Sequence, residues 1–195
     1  MMNIIRTCAF FVATVALLAC TTSGPRKTLD ELASALQNNR PEEFLSLVDM
    51  TAYADNSLAA LTSGNAVYDS LNSLSSMLGL GGLDAMINSV IDYRAELSDK
   101  LAREVASGEL ASRCEKSGET KCPWVPVSLR EAQIIEIAPS AAIAKVTTPA
   151  KLTSWIALRK VGEKWMVTGQ ALMEEEARKY ALNPGKSADP DAKSI

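Results

Sequence analysis

The chain has 195 residues, 20 Lys plus Arg against 23 Asp plus Glu, no histidine, and a hydrophobic fraction of 47% with only 5% aromatics. Those proportions exclude a collagen-like chain, a disordered chain and a multi-span membrane protein. Without histidine there is no Ser-His-Asp or Cys-His nucleophile, no His-containing zinc site and no histidine pH switch, and a net charge of −3 argues against a phosphate-neutralising nucleic-acid surface.

The first twenty residues, MMNIIRTCAFFVATVALLAC, place Arg6 before an almost unbroken apolar stretch from Thr7 to Leu17. At about 1.5 Å per residue this stretch is too short to cross a hydrocarbon core of about 30 Å. It reads as an export signal over residues 1–19, outside the folded domain. The segment Leu17-Leu18-Ala19-Cys20 resembles the bacterial lipobox. That resemblance implies a diacylglycerol on the Cys20 thiol, cleavage before Cys20, acylation of the new amine, and membrane anchorage without a spanning helix. Thr21, not Asp, follows the cysteine. By resemblance to the Gram-negative sorting rule, this implies the periplasmic face of the outer membrane; in a single-membrane cell the same lipid implies the cell membrane. The competing interpretation is an ordinary signal peptide with a chance cysteine near its cleavage site.

Residues 20–27 read as the lipidated cysteine and a Thr/Ser/Gly/Pro tether. Thr28 is expected to cap a first helix, with Glu31 as its capping-box partner and Leu29, Leu32, Ala33 and Leu36 on the buried face. Asn38-Asn39-Arg40 ends that run, and Pro41 suits the first turn of a short second helix. Asp49 is placed to cap the next element. Residues 50–82 have helical spacing at Leu58, Leu61, Leu71, Leu74 and Leu78, interrupted at Gly79, Gly81 and Gly82. A clear amphipathic helix of about 24 residues begins at Leu83 and ends near Gly108.

Cys8 leaves with the signal, so Cys114 and Cys122 remain in the polar segment CEKSGETKC. In an oxidising compartment a structural disulfide is the expected pairing, contributing about 2.5 kcal/mol on the loop-entropy model. A redox-active pair is the alternative, although the spacing is not C-x-x-C. Pro123 and Pro126 confine any strand over 124–128 to a sheet edge. Beyond them the period becomes two. Strands are expected over 133–137, 141–148, 153–160 and 164–169, joined by turns too short for parallel crossovers. A terminal helix around 173–182 and a Pro/Gly/Asp/Lys tail over 183–195 complete the chain. The expected architecture is one α+β domain over 28–182, with N-terminal helices packed on a four-stranded antiparallel C-terminal sheet.

Three or so helices followed by a meander ending in SWIALRKVGEKWMVTG resemble the cone-shaped fold of nuclear transport factor 2 and its cystatin-like relatives. The pattern AL-x3-R-x3-F-x3-VDM before that hairpin is similar to a bacterial domain family of unknown function. The resemblance spans roughly 28–170 and implies a fold, with no catalytic residue to carry over.

Candidate chemistry is sparse. Asp49, Asp55, Asp69 and Asp92 lie near Tyr53, Tyr68 and Tyr93 in sequence, residue types that serve cone-fold isomerases but also cap helices. No G-x-S-x-G, P-loop or G-x-G-x-x-G is present. Glu174, Glu175 and Glu176 diverge around a helix and fit its positive end. Trp155 and Trp165 either line a pocket on the concave side of the sheet or fill the core against the long helix. Segment 57–83 has no Lys or Arg, which argues against an anionic-lipid helix. The expected function is a non-catalytic, lipid-anchored cell-envelope protein that binds an envelope partner or serves a structural role, with no catalytic residue, cofactor, metal or nucleic acid. The alternatives are a pocketed carrier or sensor for a small apolar ligand and, third, an isomerase-like enzyme.

Overall fold

The computed structural model describes residues 24–62, 83–116 and 122–183, with the backbone alone at 61–62 and 83–92. The stretch read as an export signal, Cys20, the leucines and glycines of 71–82, and the tail from 184 lie outside the described residues.

Helix α1 spans Pro25–Gln37, with Gly24 at its N-cap, so it starts ahead of the expected Thr28 cap. Proline's fixed φ suits a first helical turn, whereas the Thr28 hydroxyl is used elsewhere: it is buried and donates to the Trp165 carbonyl at 3.0 Å. Glu31 pairs with Lys27 instead of closing a capping box. The helix thus begins three residues ahead of Thr28. Asn39, at φ 53°, ends the helix in the left-handed region. Helix α2 (Pro41–Leu45) and α3 (Met50–Thr62) come next. Asp49 caps α3 as expected, its Oδ1 accepting the Ala52 N–H at 3.1 Å.

Helix α4 runs from Leu83 to Ala106 and α5 from Glu109 to Lys116. Gly108 joins them at φ 70°, and a Cβ there would meet Asn39 Oδ1 at 3.1 Å. Where the prolines suggested an edge strand, residues 126–130 form a short helix, α6 (Pro126–Arg130), because Pro126 takes its first position after an extended Val125.

Strands β1 (Gln133–Ala138), β2 (Ala141–Thr147), β3 (Thr153–Val161) and β4 (Lys164–Ala171) form an antiparallel sheet in sequence order, and helix α7 (Glu174–Leu182) comes last. The architecture is the expected α+β, with N-terminal helices on a C-terminal sheet. Alternation sends Ala144, Val146, Ile156, Leu158 and Val167 to one face, where they pack in the same core as Leu29, Leu32 and Phe44. The other face sends Ile143, Trp155 and Ala157 against Ala177, Tyr180 and Ala181 of α7. The sheet is therefore covered on both sides.

Both sheet edges are distinctive. The β4 edge is closed by residues 47–49, which donate the Asp49 N–H to the Val167 carbonyl at 2.9 Å and accept the Val167 N–H on Leu47 at 2.8 Å. No strand pairs with the outer edge of β1 among the described residues. In β4 the register with β3 jumps from Val167 to Gly169, which makes Thr168 the extra residue of a bulge. Its carbonyl accepts Asn56 Nδ2 from α3 at 2.8 Å, and its hydroxyl donates to the Tyr180 carbonyl of α7 at 3.0 Å. One fully buried residue thus joins the layers on either side of the sheet.

Candidate binding cleft

A cleft of about 610 Å³ opens between α3, α4, α5 and the ends of β3 and β4. Helix α3 places Tyr53, Ser57 and Ala60 on one side, at helical spacing. Helix α4 contributes Tyr93, Leu97, Lys100, Leu101 and Glu104, a stripe with the same logic. Leu110 and Arg113 of α5, then Cys122, Pro123 and Trp124, form the remaining wall. The Thr168 bulge contributes here too. Without the extra residue Gln170 would share a face with Ala177; with it, Gln170 pairs across from Ile156 and projects with the first-face residues into the cleft. Its Oε1 is buried without a hydrogen-bond partner.

The floor is aromatic. Trp124 meets Phe44 edge-on at 5.2 Å and 74°, and Tyr53 at 6.3 Å. Burial, then the neighbouring Tyr93, pushes the Tyr53 hydroxyl well above the ordinary tyrosine range, opposed by the Trp124 indole N–H that faces it. Tyr93 is raised by its own burial, then by Glu96. Both hydroxyls stay protonated near neutrality and act as hydrogen-bonding groups, not as bases. The cleft's buried carboxylate, Glu104, is held by Arg113 through two parallel bonds of 2.8 Å.

Cys114 and Cys122 are joined by a disulfide with a Cα–Cα separation of 5.1 Å, and both are buried. The bridge fastens the end of α5 to the start of the Trp124 segment, so it braces the cleft wall.

The candidate residues read from sequence separate. Of the two alternatives for Trp155 and Trp165, both take the core one, on opposite faces of the sheet, Trp155 with α7 and Trp165 with the N-terminal helices; the tryptophan that lines the cleft is Trp124. Asp49 faces Arg159 at 3.9 Å, and Asp55 binds Arg94 at 2.7 Å. Asp69, Tyr68 and the Asp92 side chain lie outside the described residues, as does Cys20. Glu174 and Glu175 pair with Arg178 and Lys179 one turn on, as a solvated helix start does, while Glu176 borders the cleft. Trp124, Gln170 and the Glu104–Arg113 pair were not singled out in the sequence, although the Tyr93–Glu104 spacing was readable there.

Among the described residues no three Cys, Asp or Glu side chains converge to hold a metal, and no helix is long and apolar enough to cross a membrane. Comparison of the chain with known protein families, curated proteins and solved structures returned no match.

Proposed function

We propose that this chain is a lipid-anchored envelope protein whose domain is a non-catalytic binding module, engaging a partner through the cleft above Trp124. The observation that carries the reading is the state of the cleft's polar groups. Glu104 is committed to Arg113, the Tyr53 hydroxyl is held protonated, and Gln170 Oε1 waits for a donor. Such groups orient a bound molecule, whereas acid–base turnover needs a group poised to exchange a proton; Glu176, the other carboxylate of the lining, stands at the rim of the cleft. Of the four aspartates an isomerase reading draws on, Asp49 and Asp55 each face an arginine, and Asp69 and the Asp92 side chain lie outside the described residues.

A protein partner is favoured by the apolar lip beside the cleft, where Leu172 is 39% and Met173 64% exposed. The small-ligand carrier is the second reading, supported by a volume within the ~300–1,000 Å³ typical of ligand pockets. Lipid on Cys20 rests on the LLAC resemblance. The test combines fractionation with in-cell photo-crosslinking from position 172. Wild-type protein should pellet with membranes, Cys20→Ala should move to the soluble fraction, and the anchored protein should yield a discrete protein adduct. Pelleting of Cys20→Ala would remove the lipid anchor. Loss of the adduct together with a small molecule co-purifying in native mass spectrometry would favour the carrier.

A further inference from the structure

We propose that the lipid tether holds the domain with the N-terminus of α1 and the outer edge of β1 against the bilayer surface, so that the cleft faces the aqueous side. The inference rests on the lipid-anchor reading. Only residues 21–23 separate Cys20 from Gly24, and α1 begins at Pro25. Four Cα–Cα links reach at most ~14 Å. A domain of about 150 residues has a radius of about 19 Å on the usual size scaling. A tether shorter than that radius keeps its attachment point within about 75° of the lowest point of the domain, on the membrane-facing half.

The fold fixes what surrounds that point. Arg26 donates to the carbonyls of Leu129, at 3.3 Å, Arg130, at 2.7 Å, and Ala132, which pins the first turn of α1 just ahead of β1. Pro25 and Lys27 border a shallow groove with Ile134 and Glu136 of β1. From there α1 runs 13 residues, about 20 Å, to Asn39, which lies against Gly108 at the junction of α4 and α5, the helices that wall the cleft. The sheet adds the same polarity: β1 and β4 are opposite edges, about 14 Å apart over three strand spacings. The β1 edge, which no strand among the described residues pairs, is a template for strand addition. Apposition to hydrated headgroups satisfies its N–H and C=O groups while keeping other chains away.

The test uses the full-length lipidated protein, with its native disulfide intact, in phosphatidylethanolamine/phosphatidylglycerol vesicles. A fluorophore is attached through Lys27→Cys or, on α4, through Asp99→Cys. A nitroxide carried on lipid headgroups should quench the position-27 label several-fold more than the position-99 label, and a water-soluble quencher should show the reverse. A Gly/Ser insert of about twelve residues after Ser23, with a reach near 19 Å, should bring the two labels close to equality. Equal quenching in the membrane-bound native chain, or a preference unchanged by the insert, overturns the proposal. Shielding of the position-27 label from both quenchers also overturns it, because a protein would then cover that face. Intact mass and pelleting keep the two readings apart. A chain without lipid mass that stays in the supernatant sinks both, whereas a lipidated, pelleting chain with equal quenching sinks only the orientation.

Discussion

Tyr53 is buried on the cleft floor between Tyr93 and Trp124, and the proton affinity of its hydroxyl rises on folding. Below the ordinary tyrosine pKa of about 10 both folded and unfolded chains hold this proton, and the folded state has its full stability. Above it the unfolded chain releases the proton while the folded chain keeps it. Stability therefore falls with rising pH, by at most ~1.4 kcal/mol per pH unit for one group. Tyr53→Phe should cost about 1–3 kcal/mol at neutral pH, because the Trp124 N–H loses the oxygen it faces. It should also flatten the alkaline decline, leaving the share due to Tyr93 and Tyr180. Urea unfolding of both proteins across about pH 8 to 11 measures this; parallel slopes would show that Tyr53 does not titrate out of the folded state. The sequence marks Tyr53 and Tyr93 as notable residue types and leaves Trp155 and Trp165 between pocket and core; both fill the core. Trp155 and Trp165 sit in strands with clear alternation, and alternation reports burial, not which cavity a ring borders. Trp124 lies in an aperiodic Pro-flanked stretch, where only its closeness to Cys122 hinted at a braced wall.

Elements were legible wherever a period or a turn signal was strong. The 24-residue helix and the four strands fall close to their expected positions, because hydrophobic spacing is set by which face each element must bury. The departures are local contests between two good options. Thr28 could cap a helix, yet its hydroxyl satisfies a buried carbonyl, and Pro25 starts the helix instead. Pro126 could sit at a sheet edge, yet the first turn of α6 suits its ring better. The bulge at Thr168 leaves no mark in the pattern, since one inserted residue looks like ordinary strand until the partner register is known. The disulfide is the element-scale feature with the plainest consequence. The double substitution Cys114→Ser/Cys122→Ser should lower unfolding free energy by about 2–3 kcal/mol on the loop-entropy account. Thermal and urea unfolding with and without reductant would check it. A reductant-insensitive native protein that matched the double variant would mean that the bridge contributes nothing.

At the scale of the whole molecule the helices and the sheet were foreseen, but the second covered face was not. The terminal helix was expected as a short appendix; it forms the layer that closes Ile143, Trp155 and Ala157. Sequence pattern reports that a strand has two apolar faces more readily than it reports what covers each of them. Thr168 makes the layers interdependent, through Asn56 on one side and Tyr180 on the other. In native-state hydrogen exchange, α3 and α7 should open with the same free energy, and Thr168→Val should lower both together by about 1 kcal/mol. Exchange of α7 at a much lower free energy than α3 would show that the outer layer opens alone.

The position of α7 also bears on how the chain is made. Synthesis reaches residues 174–182 only after all four strands, and until then the Ile143–Trp155–Ala157 surface lacks the cover that α7 provides. A nascent or prematurely ended chain presents a broad greasy sheet to chaperones and proteases, whichever compartment it is in. The nine residues of α7 close that surface, so chains cut just before Glu174 should be cleared rather than accumulate, as a pulse-chase comparison with the full chain would check.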